Sequence, residues 1–195
     1  MSGFSLRAVF ACTALALFSV PAFAQMQAAR NNAILQQVHA VGLALFSYAC
    51  DHDGKYPTGM SSTAVFQQLL DQGYVADPAL FYVPMPEKVR PISKKLKPEN
   101  VSFDVTAGVD LNSSDAVPIL FLTGFSINYT PGSGAEPDSD DAKKRDGIVI
   151  YYKSNNAKFQ PKAGDGTVPH VVPQDFDDKD HHYLQLTPSG PAGLA

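Results

Sequence analysis

The chain has no tryptophan, only two cysteines and few charges, and each shortage removes an option. Cys12 lies in an apolar leader and Cys50 far downstream, so removal of the leader leaves Cys50 without a partner. A disulfide framework is thereby excluded for a mature monomer. Charged residues make up 17%, the net charge is −4, and no basic stripe runs along the sequence. That balance argues against nucleic acid as a partner. G-x-S-x-G, H-E-x-x-H and P-loop patterns are absent, which lowers the odds of the acyl-transfer, metalloprotease and nucleotide-binding chemistries those motifs serve. No internal repeat is visible. The 12 Phe and 8 Tyr can still fill a core, and 195 residues suit one domain rather than two.

What is present begins with the leader. Ala8 to Val20 is uncharged and mostly apolar, preceded by Arg7 and followed by Pro21-Ala22-Phe23-Ala24-Gln25. A basic start, an apolar centre and an A-x-A end describe a secretory signal peptide, with cleavage after Ala24 and a mature protein starting at Gln25. The run is slightly short for a bilayer span of roughly 20 apolar residues.

Behind the leader, Ile34, Val38, Val41, Leu45 and Tyr48 alternate at spacings of four and three. That period draws one apolar seam along a helix, widened by Leu35, Gly42, Phe46 and Ala49. Asp53-Gly54 supplies the exit and Pro57 prevents resumption nearby. A second, short helix is expected after the capping hydroxyls at 61–63, burying Val65, Phe66, Leu69 and Leu70 and ending at Gly73. Residues 84–100, with four prolines and five basic groups, read as an irregular crossing. Val101–Val105, Val117–Phe125 and Ile148–Lys153 read as strands. Residues 131–146 read as an exposed loop, and the chain after Phe159 as a loosely ordered tail.

Two groups of side chains invite a metal reading. Asp51-His52-Asp53-Gly54 has alternating carboxylates but fails the calcium-loop pattern, because Tyr56 stands where glycine is needed and Ser62 where glutamate is needed. A solvated helix end is the better description. Asp175, Asp177, Asp178, Asp180, His181 and His182 are the densest set of ligand types, suited in kind to zinc. They sit among prolines with little apolar support, so a solvated acidic tail is favoured. His39, on the helix flank, reads as a packed or interfacial histidine.

The segment Gln37, Gly42-Leu43-Ala44-Leu45, Tyr48-Ala49 and Asp53-Gly54-Lys55-Tyr56-Pro57 resembles bacterial pilin-like proteins of the type II secretion pseudopilin class. The likeness is strong over 34–57 and looser over the rest of 20–160. In the same vein, Gly3-Phe4-Ser5-Leu6 resembles a prepilin processing site, with cleavage after Gly3 and Phe4 as the new N-terminus. Ala8 stands where the family has glutamate, and Arg7 interrupts the apolar start. The resemblance implies an α+β fold in which a long N-terminal helix packs on a small antiparallel sheet, with a short second helix and a loosely ordered C-terminal tail. It divides the chain into a leader (1–24), a pilin-like domain (25–160) and a Pro/Asp/His-rich tail (161–195). It implies a non-enzymatic subunit of a secretion or pilus assembly, exported to the periplasm or anchored in the inner membrane facing it. Partners would be other pilin-like subunits or secretion-apparatus proteins, and the inner membrane if the leader is kept. No cofactor is expected. Some pseudopilins hold calcium in a C-terminal loop, which makes Asp165, Asp175 and Asp177, beside His181 and His182 for zinc, the weak metal candidates. The alternative is a Sec-exported soluble periplasmic protein using that Asp/His-rich segment for metal binding or catalysis.

Overall fold

The computed structural model describes the backbone of residues 6–192 and the side chains of residues 24–192. The order of elements is α1 (Leu6–Asp51), α2 (Ser62–Asp71), β1 (Phe103–Ala107), β2 (Pro118–Leu122), β3 (Phe125–Ile127), β4 (Ala135–Pro137), α3 (Asp140–Lys144), β5 (Gly147–Tyr152), β6 (Asn156–Pro161) and β7 (Leu184–Leu186). Two units divide the chain, Met1–Ile34 and Leu35–Ala195. In the first, the described part is the opening of α1, and its side chains at 24–33 are mostly exposed.

The second unit is α+β. Its main sheet has five antiparallel strands in the order β6-β5-β2-β1-β7, and β3 and β4 form a separate hairpin. Register sorts the side chains by face, because successive residues of a strand point to opposite sides and directly paired residues share one. Val105, Leu120 and Tyr151 pair across three strands. This row meets α1, where the Tyr151 ring lies edge-on to His39 at 5.8 Å and closes against Gly42. A methyl group at Gly42 would run into that ring, so glycine is what lets helix and sheet approach. Val38, Val41, Leu45, Tyr48 and Ala49 are buried as the seam required. Ser61 caps α2 by accepting from Ala64 N–H at 3.2 Å, and Val65, Phe66, Leu69 and Leu70 form its buried face. Phe66 stacks on Phe81 at 4.5 Å.

The opposite row, Asp104, Phe121 and Ile150, is equally buried. Its cover comes from segments that read as solvent-exposed in the sequence. Residues 131–146 contain β4 and α3, and Ala135 and Ala142 are wholly buried. The segment after Phe159 is likewise ordered. Val168, Val171, Val172 and Phe176 are buried, the Tyr152 hydroxyl donates to Val171 O at 2.9 Å, and β7 pairs with β1. The expected loose tail at 161–195 is corrected accordingly: over its described residues it forms a third layer and an edge strand. Few apolar residues suffice because each one faces a sheet already buried on its other side.

Candidate functional site

The turn after α1 is built from local chemistry. Asp53 and Gly54 both take left-handed backbone conformations (φ 52° and 82°), and Gly54 N–H donates to Ala49 O at 2.9 Å. His52 stacks on Tyr48 at 3.8 Å, and Asp51 accepts from the Tyr74 hydroxyl at 2.8 Å. The Asp51-His52-Asp53 group thus serves as the helix end. The backbones of Lys55 and Asp110 form an isolated antiparallel bridge, and Leu111 N–H donates to Gly54 O at 2.9 Å, so the turn carries the 108–113 loop.

That loop brings Asp110 to the densest group of titratable side chains in the second unit. His181 lies between two carboxylates, with Nδ1 2.5 Å from Asp178 and Nε2 3.1 Å from Asp110. Asp178 also accepts from Ser114 N–H at 2.7 Å and from the Tyr183 hydroxyl, whose ring stacks on His181 at 5.9 Å. Asp110 accepts from the N–H groups of Asn112 (2.7 Å) and Ser113 (2.9 Å). The hydrogen bond to Asp178 raises the His181 pKa against modest desolvation. Burial on its own would raise Asp178, but Ser114, Tyr183 and His181 outweigh it and hold the carboxyl below its ordinary range. Asp110 is lowered in the same way, burial being outweighed by the Asn112 and Ser113 amides and by His181. A neutral imidazole carries one N–H and can donate to one carboxylate; the imidazolium donates to both. In the imidazolium form both N–H groups are committed, and the ring has no lone pair to offer a metal or a substrate proton. The chemistry here is that of a charged clamp joining the 108–113 loop to the C-terminal segment.

The sequence-predicted metal candidates are distributed differently. Asp165 closes a turn by accepting from Thr167 N–H (2.9 Å) and its hydroxyl (2.8 Å). Asp177 pairs with Lys179 at 3.3 Å, while Asp175 and His182 are exposed. Among the described residues no group of three or more His, Cys, Asp or Glu side chains is arranged to hold a metal ion. Ala24 and Gln25 are exposed on α1, and Gly3 and Phe4 lie outside the described residues.

A second polar group lies inside the protein. Asp104 is wholly buried, accepting from Gln185 Nε2 at 2.7 Å through one oxygen, and its Oδ1 has no hydrogen-bond partner among the described residues. Burial pushes its carboxyl up to about 7, against the opposing influence of the Gln185 hydrogen bond and the nearby Thr123 side chain. Gln185 also donates to Phe125 O (2.7 Å) and accepts from Ile127 N–H (3.0 Å), tying β7, β1 and the β3–β4 hairpin together. Thr106 meets the Tyr129 hydroxyl at 2.7 Å beside it. A cleft of about 730 Å³ lies between α2 and the 94–98 and 188–189 segments and contains neither group.

No family model matches the chain, and no curated protein or solved structure is similar to it. Sequence reasoning missed Asp110, Asp104 and Gln185. Isolated polar residues carry no local signal, since their partners lie 71 and 81 residues away. Among the described residues, one helix, Ala24–Asp51, is long and apolar enough to cross a membrane by length and composition. Its seam from Val38 to Ala49 is nevertheless core of the folded domain.

Proposed function

We propose that this chain is a non-enzymatic pilin-like or pseudopilin-like protein of the bacterial envelope, a structural or accessory subunit of a secretion- or pilus-type assembly. One observation carries the reading. A long N-terminal helix with an apolar segment at its start lends its C-terminal seam to an antiparallel sheet and ends in the Asp53–Pro57 turn. An assembly subunit needs a helix with two such jobs, and an enzyme does not. Gln37 adds to the support by holding the start of the domain, donating to Leu80 O (2.7 Å) and Tyr82 O (2.8 Å). The clamp at His181 offers no free base or open ligand position, which weakens the catalytic alternative.

A soluble periplasmic form is favoured by a separate feature. Ala24 and Gln25 are exposed, and the buried seam starts more than a turn downstream, so cleavage there leaves the core intact.

The deciding experiment is the mature N-terminus of protein recovered from its native envelope, read by mass spectrometry. A methylated Phe4, with retention on membranes after a salt wash, supports the assembly subunit. A start at Gln25 with release into the soluble fraction replaces it with the periplasmic module.

A further inference from the structure

Between Glu87 and Glu99 the chain carries five of its 15 basic residues (Lys88, Arg90, Lys94, Lys95 and Lys97) and no acid, within a protein of net charge −4. The segment is pinned rather than loose. Pro91 and Leu96 are buried. Val89 N–H donates to Glu99 O at 2.7 Å, and Asn100 Nδ2 donates to Val89 O at 2.9 Å. From α2, Gln67 donates to Lys94 O at 3.1 Å and accepts from Leu96 N–H at 2.8 Å. Lys88 is turned inward, its Nζ donating to Pro98 O at 3.0 Å.

What the pinned loop leaves outside is chemically specific. Ile92 is 103% exposed, more than any other large apolar side chain described, and Val89 is 59% exposed. Arg90, Lys94 and Lys95 lie within three residues of Ile92 in the same loop, exposed and with no ion pair among the described residues. A single exposed apolar residue is ordinary. Here the same backbone contacts that fix the loop also fix an isoleucine in water on a loop whose other exposed side chains include three cations.

We propose that the 89–95 loop docks on an anionic lipid bilayer, with Ile92 and Val89 entering the interface and Arg90, Lys94 and Lys95 meeting headgroup phosphates. A bilayer of anionic lipid offers both complements at once: apolar depth for the exposed isoleucine, and negative charge for the neighbouring cations. An acidic protein segment satisfies the cations and leaves the isoleucine in water. An apolar groove does the reverse. The proposal concerns the folded domain and stands apart from the pilin-like reading.

The absence of tryptophan provides the test. Full-length Ile92→Trp carries one indole, at a fully exposed position, and is reconstituted into vesicles of phosphatidylcholine alone or mixed with phosphatidylglycerol. The expected result is blue-shifted emission and quenching by nitroxide-labelled lipid in the anionic vesicles only. Both effects should be lost when Lys94→Glu and Lys95→Glu are added. Emission that stays water-like on anionic vesicles overturns the proposal. So does a blue shift that survives charge reversal, or one produced by polyglutamate without lipid.

Discussion

Gln185 on β7 donates to the Asp104 carboxylate on β1 at 2.7 Å, and the same side chain holds both backbone groups of the β3–β4 hairpin that face it. One amide thus stands between a buried acid and a buried hairpin. Gln185→Leu removes it while keeping the volume, and leaves Asp104, Phe125 O and Ile127 N–H short of partners. Unsatisfied buried polar groups cost about 1–3 kcal/mol each. The expected loss is at least about 3 kcal/mol, read from urea unfolding midpoints.

Asp104 itself sets a pH dependence. Its carboxyl sits at about 7 in the folded protein against an ordinary 3.8, so the folded state binds the extra proton between those values. Stability from this group is complete below 3.8 and is lost as pH rises through about 7. The gap corresponds to about 4 kcal/mol. Asp104→Asn, which mimics the protonated acid, should flatten the stability profile across that window. A profile that keeps its slope assigns the dependence elsewhere.

The His181 clamp titrates in the opposite sense at its acidic end. Asp110 and Asp178 are lowered from 3.8, so their contribution is present above 3.8 and lost as pH falls through their lower folded values. His181 is raised from 6.5, so its contribution is complete below 6.5 and lost as pH rises through its higher folded value. Both ends of the clamp are charged between 3.8 and 6.5. Thermal melts of His181→Gln should fall below those of the parent inside that window and converge with them well above it.

Gly42→Ala tests the approach of α1 to the sheet. Alanine gains about 1 kcal/mol of helix propensity, but its methyl group meets the Tyr151 ring. Overpacking of this kind costs about 1–3 kcal/mol, so a net loss of stability is expected. Combining it with Tyr151→Leu should cost less than the sum of the single changes.

The Tyr56 hydroxyl is buried without a hydrogen-bond partner among the described residues. Tyr56→Phe removes a group already desolvated for no return, and should leave the unfolding midpoint unchanged or raise it.

The legibility of this fold in its sequence follows from where each element gets its instructions. The seam Val38–Tyr48 and the short helix after Ser61 are read from spacings of three and four and from a cap three residues away, all within one or two turns. Of the β5–β6 hairpin the sequence pattern marks only the first strand, Ile148–Lys153, although the turn is local, with Asn155 in the left-handed position (φ 62°). The outer layer is not. Val168, Val171, Val172 and Phe176 follow no period and lie among prolines and acids, and their burial depends on a sheet formed by residues 103–152. Of the clamp, Asp178 and His181 are neighbours three residues apart, but Asp110 arrives only through the turn at Gly54.

The position of β7 has a consequence for the order of events in synthesis. Leu184–Leu186 completes the sheet beside β1, yet it is made after every other described strand. Until then β1 presents an unpaired backbone edge, and Asp104 lacks its Gln185 donor. A chain still being made therefore cannot close this sheet in stages from the N-terminus. Completion waits for the last of the described strands, and the β1 edge stays open until it arrives.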